Sequence, residues 1–180
     1  MNDEQLIWES YESNSLDKNY SHAYKTNDTE SAEKMLNDYA KKAGYVEVFR
    51  ASRGGASHLT PRNNYQLSFS TRKEVADSYG RKDEDTKRFF IKEKNAKEFP
   101  SKNGDFSKSG FDRAAQNGGI IVVRNVYDIG PWASDERDPE MLYSYPSDIY
   151  ATIDGSLVKS AEPFLFDDNR NLIPLSQRFI

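Results

Sequence analysis

Apolar residues recur at helical spacing in the early part of the chain. Between residues 29 and 43 they share one face of a helix, because the spacing is three or four residues. Asn27, with Thr29 or Glu30 after it, supplies a polar start, and Gly44 supplies a stop. The pattern predicts an amphipathic helix whose apolar face consists of Ala32, Met35, Leu36, Tyr39 and Ala43.

Residues 1–28 show a weaker pattern. A short apolar group between Leu6 and Tyr11 indicates a short helix, and the polar run from Ser13 to Asn19 interrupts it. We therefore expect an N-terminal arm over residues 1–28, either helical or partly disordered, and one folded domain over residues 29–180.

Alternation of apolar and polar residues over 45–52 and 65–70 predicts two half-buried strands. The first strand ends at Arg50, for which a surface salt bridge is the plain structural interpretation. Thr71 and Glu74 have the spacing of a capping box before a short helix that carries Tyr79 and ends at Gly80. Taken alone, Thr71 is equally well explained as a helix cap or as a ligand contact. Tyr79 is equally well explained as a core residue or as a ligand contact.

The second half predicts further strands over 88–92, 120–123 and 149–153, with polar loops over 93–110 and 128–146. The run over 120–123 is apolar at every position, so it indicates a strand buried on both faces at the centre of a sheet. Residues 168–171 form a turn signal that would join two short strands. Helices and strands in this order predict an α+β fold.

Composition narrows the function classes. The net charge is −4, which argues against a protein that binds nucleic acid through its phosphates. The chain has no Cys and two His, His22 and His58, which is a poor set of ligands for a transition metal. We interpret His58, in a loop, as a surface residue. The first residues lack a signal-peptide pattern and no apolar run approaches membrane-spanning length, so we expect a cytoplasmic protein without membrane contact.

Several segments in fixed order resemble the ADP-ribosyltransferase-like domain of phage and mobile-element polyvalent proteins, over about residues 30–180. They are AKKAGY, FRAS, GGASHLT, SFSTRKEVADSYG, GGIIVVRNVYDIG and SDIYATIDGSLVKSAEPFLFDDNRNLIPLSQRF. The resemblance implies split antiparallel β-sheets with flanking helices, and NAD bound as substrate in the cleft between the sheets. It also implies a phage or mobile-element protein that acts on a macromolecule, with a protein as the expected target, in the cytoplasm of a bacterial host.

The resemblance also assigns site residues. Arg50 falls on the strand position that binds NAD's phosphates in the Arg-Ser-Glu branch of this superfamily, and a planar guanidinium suits bidentate phosphate contacts. Tyr79 matches the Tyr that stacks on nicotinamide. The remaining positions implied to bind NAD are Ala51, Ser52, Ser68, Ser70 and Thr71.

This chain departs from the family pattern at the position of the acidic site residue. Gly118 and Gly119 stand where many members have Asp-Gly, so Asp148, in the later strand, is the nearest candidate for stabilising the oxocarbenium-like charge. Glu136 and Glu140 lie in the preceding loop, as a substrate-facing acid would, although loop acids are commonly only solvated.

Two functions follow from these assignments. One is an NAD-dependent mono-ADP-ribosyltransferase in which Arg50 holds the phosphates and Asp148 stabilises the cation. The other is a catalytically inactive module on the same fold, which docks a protein or nucleotide and could serve to counter host defence, since the acid position departs from the pattern. A third hypothesis is an accessory phage protein that blocks a host defence, by modification or by sequestration.

Overall fold

The computed structural model describes residues 3–51, 59–61, 65–80, 86–130 and 146–180, with side chains from residue 13 onward. The described α-helices are α1 (Asp3–Lys25), α2 (Thr29–Lys42), α3 (Lys73–Tyr79) and α4 (Lys108–Gln116). The described strands are β1 (Tyr45–Ala51), β2 (Leu67–Ser70), β3 (Thr86–Lys92), β4 (Ala96–Phe99), β5 (Ile120–Val126), β6 (Ser147–Thr152) and β7 (Val158–Ser160). Short 3₁₀ turns cover Glu93–Asn95, Gly155–Leu157 and Leu175–Gln177.

The chain divides into two compact units, one formed by residues 1–45 with 161–180 and the other by residues 46–160. In the first unit, the fully buried Tyr20 donates its hydroxyl to the Pro163 carbonyl and accepts a hydrogen bond from Arg178 Nη1 at 2.9 Å. Asp17 accepts from the backbone nitrogen and the hydroxyl of Ser176, at 2.9 and 2.6 Å. These contacts fix the C-terminal tail on α1.

Helix α1 continues through the polar run 13–19, where the sequence predicted an interruption. That run contains neither Gly nor Pro, so nothing in it breaks a helix. Helix α2 confirms the amphipathic prediction for 29–43, and it buries Ala32, Leu36 and Ala40. Its N-cap is Asp28, not Asn27, because Asp28 Oδ1 accepts from the Ser31 nitrogen at 3.1 Å.

The second unit contains a seven-stranded sheet in the order β4-β5-β6-β2-β1-β3-β7. The α+β class is therefore confirmed. The described pairings are antiparallel except for β4 with β5, which is parallel, so the sheet is mixed and not purely antiparallel. Strand β5 is buried on both faces from Ile120 to Val123, as predicted, but β2 and not β5 occupies the middle of the sheet.

Two apolar clusters pack against the sheet. One joins Val75 of α3 and Phe111 of α4 to Val123 and Ile149, and the other includes Val48, Phe69 and Tyr150. The loop predicted over 93–110 is wrong in part, because it contains β4 and the start of α4. Strand β4 is a short, mostly polar edge strand, and a pattern search based on apolar alternation misses such strands.

The tail contains a single bridge, between Phe166 and Leu172, around the turn that the sequence predicted at 168–171. Gly155–Leu157 forms a 3₁₀ turn that leads directly into β7. Among the described residues, no helix is both long enough and apolar enough to cross a membrane.

Candidate functional site

A cavity in the second unit has a volume of about 710 Å³, within the range of small-molecule sites. It lies where β1 and β2 meet, and helices α3 and α4 supply further walls. In the described part of β1 and β2 the register consists of Phe49 opposite Ser70, whereas β2 pairs with β6 at four positions. The cavity thus opens beside the pairing of β1 with β2.

Arg50 lines this cavity from the end of β1. Its Nη1 donates to the Ser68 carbonyl at 3.0 Å, and the guanidinium carbon lies 5.7 Å from the centroid of the Phe69 ring. Burial lowers the pKa of Arg50 to about 10, so the group stays charged at neutral pH but has lost part of its hydration. A desolvated, oriented cation of this kind favours an anionic ligand.

The cavity lining also includes what we call the cavity cluster, formed by Tyr79, Lys108, Asp112, Asp128 and Gln66. The Tyr79 hydroxyl donates to Asp128 Oδ1 at 2.6 Å, and Lys108 Nζ lies 2.7 Å from the same oxygen and 3.3 Å from the hydroxyl. Burial and the neighbouring Asp128 raise the pKa of Tyr79 above its usual range, so the phenol is neutral. Asp128 is itself buried.

Asp112 belongs to α4 and accepts a hydrogen bond from the Gln66 side-chain nitrogen. Burial, with the nearby charge of Asp128, raises the pKa of Asp112, although Lys108 and the Gln66 hydrogen bond oppose the shift. Both Gln66 and Asp112 line the cavity. The wall therefore combines two carboxylates with a single lysine.

Close backbone packing holds Tyr79 and Asp128 together. The Gly130 nitrogen donates to the Ser78 hydroxyl at 2.7 Å, and that hydroxyl donates to the Val75 carbonyl at 2.6 Å. A Cβ added at Gly130 would overlap the Ser78 backbone, so only glycine permits this approach. The end of α3 and the segment after β5 are thereby locked side by side.

Asp148 lies in a different environment, which we call the bulge cluster: Glu93, Arg124, Asp148 and Tyr150. Its Oδ2 is 2.8 Å from Arg124 Nη1, and its Oδ1 accepts from the Asn125 backbone nitrogen at 2.9 Å. Arg124 Nη2 also pairs with Glu93 at 2.8 Å. Asn125 has a φ of +51° at a register shift in β5, so the carboxylate caps an irregular stretch of strand.

Five of the ten predicted site residues line this cavity, two lie elsewhere, and three lie outside the described residues. Those in the cavity are Arg50, Ala51, Ser68, Ser70 and Tyr79. Asp148 does not line it. Ser52, Glu136 and Glu140, like His58, lie outside the described residues.

Thr71 was predicted to cap a helix or to bind NAD, but its contacts in the structure are with Asp148. Its hydroxyl accepts from the Asp148 nitrogen at 3.0 Å, and its own nitrogen donates to the Asp148 carbonyl at 3.0 Å. The capping box with Glu74 is therefore wrong, since the residue before α3 is Arg72 and makes no side-chain cap. Thr71 joins β2 to β6 instead.

Sequence reasoning missed the three charged residues of the cavity cluster: Lys108, Asp112 and Asp128. Asp128 follows the apolar run of β5, where polar residues at a strand end commonly form sites, and this signal could have identified it. Lys108 fell within the segment interpreted as a loop over 93–110 and Asp112 just after it, so their shared helix was not recognised.

No group of three or more His, Asp or Glu residues within the described ranges is arranged to hold a metal ion. Comparison of the chain with protein-family models, curated proteins and solved structures found no match. The function must therefore be argued from the cavity.

Proposed function

We propose that the protein is an NAD-dependent mono-ADP-ribosyltransferase. The observation that carries the proposal is that Arg50, Ala51, Ser68, Ser70 and Tyr79, far apart in sequence, line one cavity of about 710 Å³. These residues were assigned to NAD from the sequence motifs alone. A shared cavity is what a common ligand requires.

Arg50 is the group proposed to bind the pyrophosphate. The Ser68 carbonyl and the Phe69 ring orient the guanidinium, so little conformational freedom remains to be lost when an anion binds. Its partial desolvation strengthens the attraction to phosphate oxygens. Ser68 and Ser70, on the adjoining strand, are proposed to shape the ribose pocket.

The nicotinamide end is proposed to lie at the cavity cluster, against Tyr79. Two carboxylates and one lysine give this wall a net negative character, which suits the cationic nicotinamide ring. When the bond between ribose and nicotinamide breaks, its electron pair leaves with nicotinamide and positive charge develops on the ribose. A nucleophile of the target then bonds to that carbon and loses its proton.

Asp112 is the carboxylate best placed for that charge. Asp128 already accepts from Tyr79 and pairs with Lys108, whereas the described partner of Asp112 is the neutral Gln66. The sequence assigned this role to Asp148, whose carboxylate is engaged by Arg124 and the Asn125 nitrogen. The proposal therefore transfers the role from Asp148 to Asp112.

The layout of the sheet is not part of this support. The family resemblance implies split sheets with NAD in the cleft between them, whereas here the seven described strands form one hydrogen-bonded sheet and the cavity lies beside the pairing of β1 with β2. The remaining parts of the proposal, a phage or mobile-element origin, a protein target and the bacterial cytoplasm, rest on the motifs alone.

The test is incubation of the purified protein with NAD, with and without bacterial lysate, followed by measurement of free nicotinamide and of labelled ADP-ribose on protein. We expect nicotinamide release that requires Arg50, so Arg50→Ala should reduce it about a hundredfold and Arg50→Lys less. The matched control is Arg88→Ala, because Arg88 pairs with Glu47 and does not line the cavity. Nicotinamide release that is absent, or equal in Arg50→Ala, would overturn the proposal.

A second candidate function is a dinucleotide-binding module without turnover. The observation that favours it is the position of Asp148, since the acid nearest to the family's catalytic position lies outside the cavity. Calorimetry with NAD separates the two functions. Binding that Arg50→Ala weakens, without any nicotinamide release, would support the module.

A further inference from the structure

Tyr65 is an exposed aromatic residue that lines the cavity. Its side chain is 69% exposed, more than any other large aromatic among the described residues. None of the described residues hydrogen-bonds its hydroxyl. An exposed ring beside a polar cavity leaves apolar surface in water, which a bound planar ring would cover.

The backbone beside Tyr65 is fixed on its C-terminal side. Gln66 is held by Asp112, and Leu67 is buried at the start of β2. The ring is therefore presented from an anchored position, and stacking on it costs little ordering of the chain. This arrangement resembles the general design of sites in which an aromatic side chain serves as a platform for a base.

The proposed position of nicotinamide indicates which ring of a dinucleotide would occupy this position. Tyr65 and the exposed Thr60 line the cavity with uncharged side chains. Gln66, the neighbour of Tyr65, donates to Asp112, so the position of the acidic groups does not by itself separate the two rings. Because the proposed function puts the cationic nicotinamide ring against Tyr79, the neutral adenine is the ring left for Tyr65.

We propose that Tyr65 forms an aromatic subsite that stacks on the adenine ring of the dinucleotide whose phosphates Arg50 binds. The inference rests on the proposed function, because it takes the ligand to be NAD. It adds a residue to the site and predicts which fragments of NAD the cavity retains. Fragments with adenine bind through Tyr65, and a fragment with nicotinamide alone does not use it.

The experiment is calorimetric titration of the full chain with ADP-ribose and, separately, with nicotinamide mononucleotide. For Tyr65→Ala we expect ADP-ribose affinity to fall about tenfold, the scale of one lost base-stacking contact. Tyr65→Phe should bind like the parent protein, because the ring is retained. Nicotinamide mononucleotide should bind the parent protein and Tyr65→Ala within about twofold of each other.

Tyr24→Ala is the matched control, since Tyr24 is also an exposed tyrosine but lies on α1, outside the cavity lining. In addition, Tyr65→Trp provides a direct reporter, because an adenine ring stacked on the indole should quench its fluorescence, with Tyr24→Trp unquenched. Thermal unfolding of each variant confirms that the fold is intact.

The outcomes separate the two proposals. If Tyr65→Ala binds ADP-ribose as tightly as the parent, or loses both ligands equally, the adenine subsite is overturned while the transferase can stand. If ADP-ribose binding depends on Tyr65 but nicotinamide is never released, the transferase is overturned and the subsite is supported. If neither ligand binds, both proposals are overturned.

Discussion

The cavity cluster and the bulge cluster use nearly the same chemistry for different purposes. Each centres on an aspartate held by a basic side chain and accompanied by a tyrosine: Asp128 with Lys108 and Tyr79, and Asp148 with Arg124 and Tyr150. The first lines a cavity of about 710 Å³, whereas Asp148 caps an irregular turn of β5. An acid near a predicted catalytic position is therefore better judged by the cavity it faces than by its place in the sequence.

The two clusters also differ in burial. In the cavity cluster the Asp128 side chain is 8% exposed, whereas in the bulge cluster the side chains of Arg124 and Asp148 are 29% and 25% exposed. Burial raises the pKa of Tyr150 to about 12, and the hydrogen bonds that Arg124 donates to Asp148 and Glu93 hold the pKa of Arg124 above its usual range against the effect of burial. Both phenols are therefore neutral, and the contrast lies in what surrounds them.

The largest effect should come from Asp128→Ala. The substitution removes the acceptor of the buried Tyr79 hydroxyl and the partner of Lys108, so we expect the free energy of unfolding to fall by about 2 kcal/mol. NAD affinity should fall about tenfold, because Tyr79 loses its orientation. Denaturant melts and calorimetry measure the two effects. Asp128→Asn, which keeps an acceptor oxygen, should recover at least half of each loss, and equal losses would contradict this account.

Gly130→Ala should have the next largest effect. An added Cβ would overlap the Ser78 backbone, so the segment carrying Asp128 must move away from α3 at a cost of about 1.5 kcal/mol. The measurement is the unfolding free energy together with NAD affinity, and both should fall. The matched control is Gly119→Ala, where a Cβ would meet no atom within 4 Å although φ is +80°. A binding loss no greater at Gly130 than at Gly119 would show that this close approach does not position the site.

The sequence predicted α2, the α+β class and five of the cavity residues because each depends on local patterns. The face of α2, with Leu36 at its centre, is defined by spacing within one element. Arg50 and Tyr79 were assigned because each stands in a motif with recognisable neighbours. That Arg50 and Tyr79 would line the same cavity was predicted from the family resemblance, since no local sequence pattern predicts it.

The acidic side of the site was not predictable in the same way. Asp112 comes to the cavity because α4 packs on β5 and β6, and its hydrogen-bond partner Gln66 is 46 residues away. Asp148 looked suitable because it is the acid nearest to the position of the family's catalytic Glu, but Arg124 and the bulge at Asn125 engage its carboxylate. Long-range packing decides both cases, and no spacing in the sequence encodes it.

Asp148→Ala tests the bulge cluster directly. The aspartate is part of a partly exposed ion-pair network, so we expect a loss of about 1 kcal/mol in unfolding free energy. Nicotinamide release should stay within about threefold of the parent protein, whereas Asp112→Ala should lower it about a hundredfold. The kinetic comparison is made at equal folded fraction. A loss in Asp148→Ala as large as that in Asp112→Ala would restore the catalytic role to Asp148.

The smallest effect should be a pH dependence from Asp112. Its pKa is raised in the folded protein, so the folded state favours the protonated carboxyl: the contribution of this group is most favourable below the unfolded pKa and is lost as the pH rises through the folded pKa. The Tm of the parent protein relative to Asp112→Asn should therefore decline over that interval, above a pH of about 4. Asp148→Asn serves as the control for a carboxylate outside the cavity. If transfer uses ionised Asp112, nicotinamide release should increase over the same interval in which relative stability declines, and Asp112→Asn should lack that increase; stability and activity rising together would contradict the assignment.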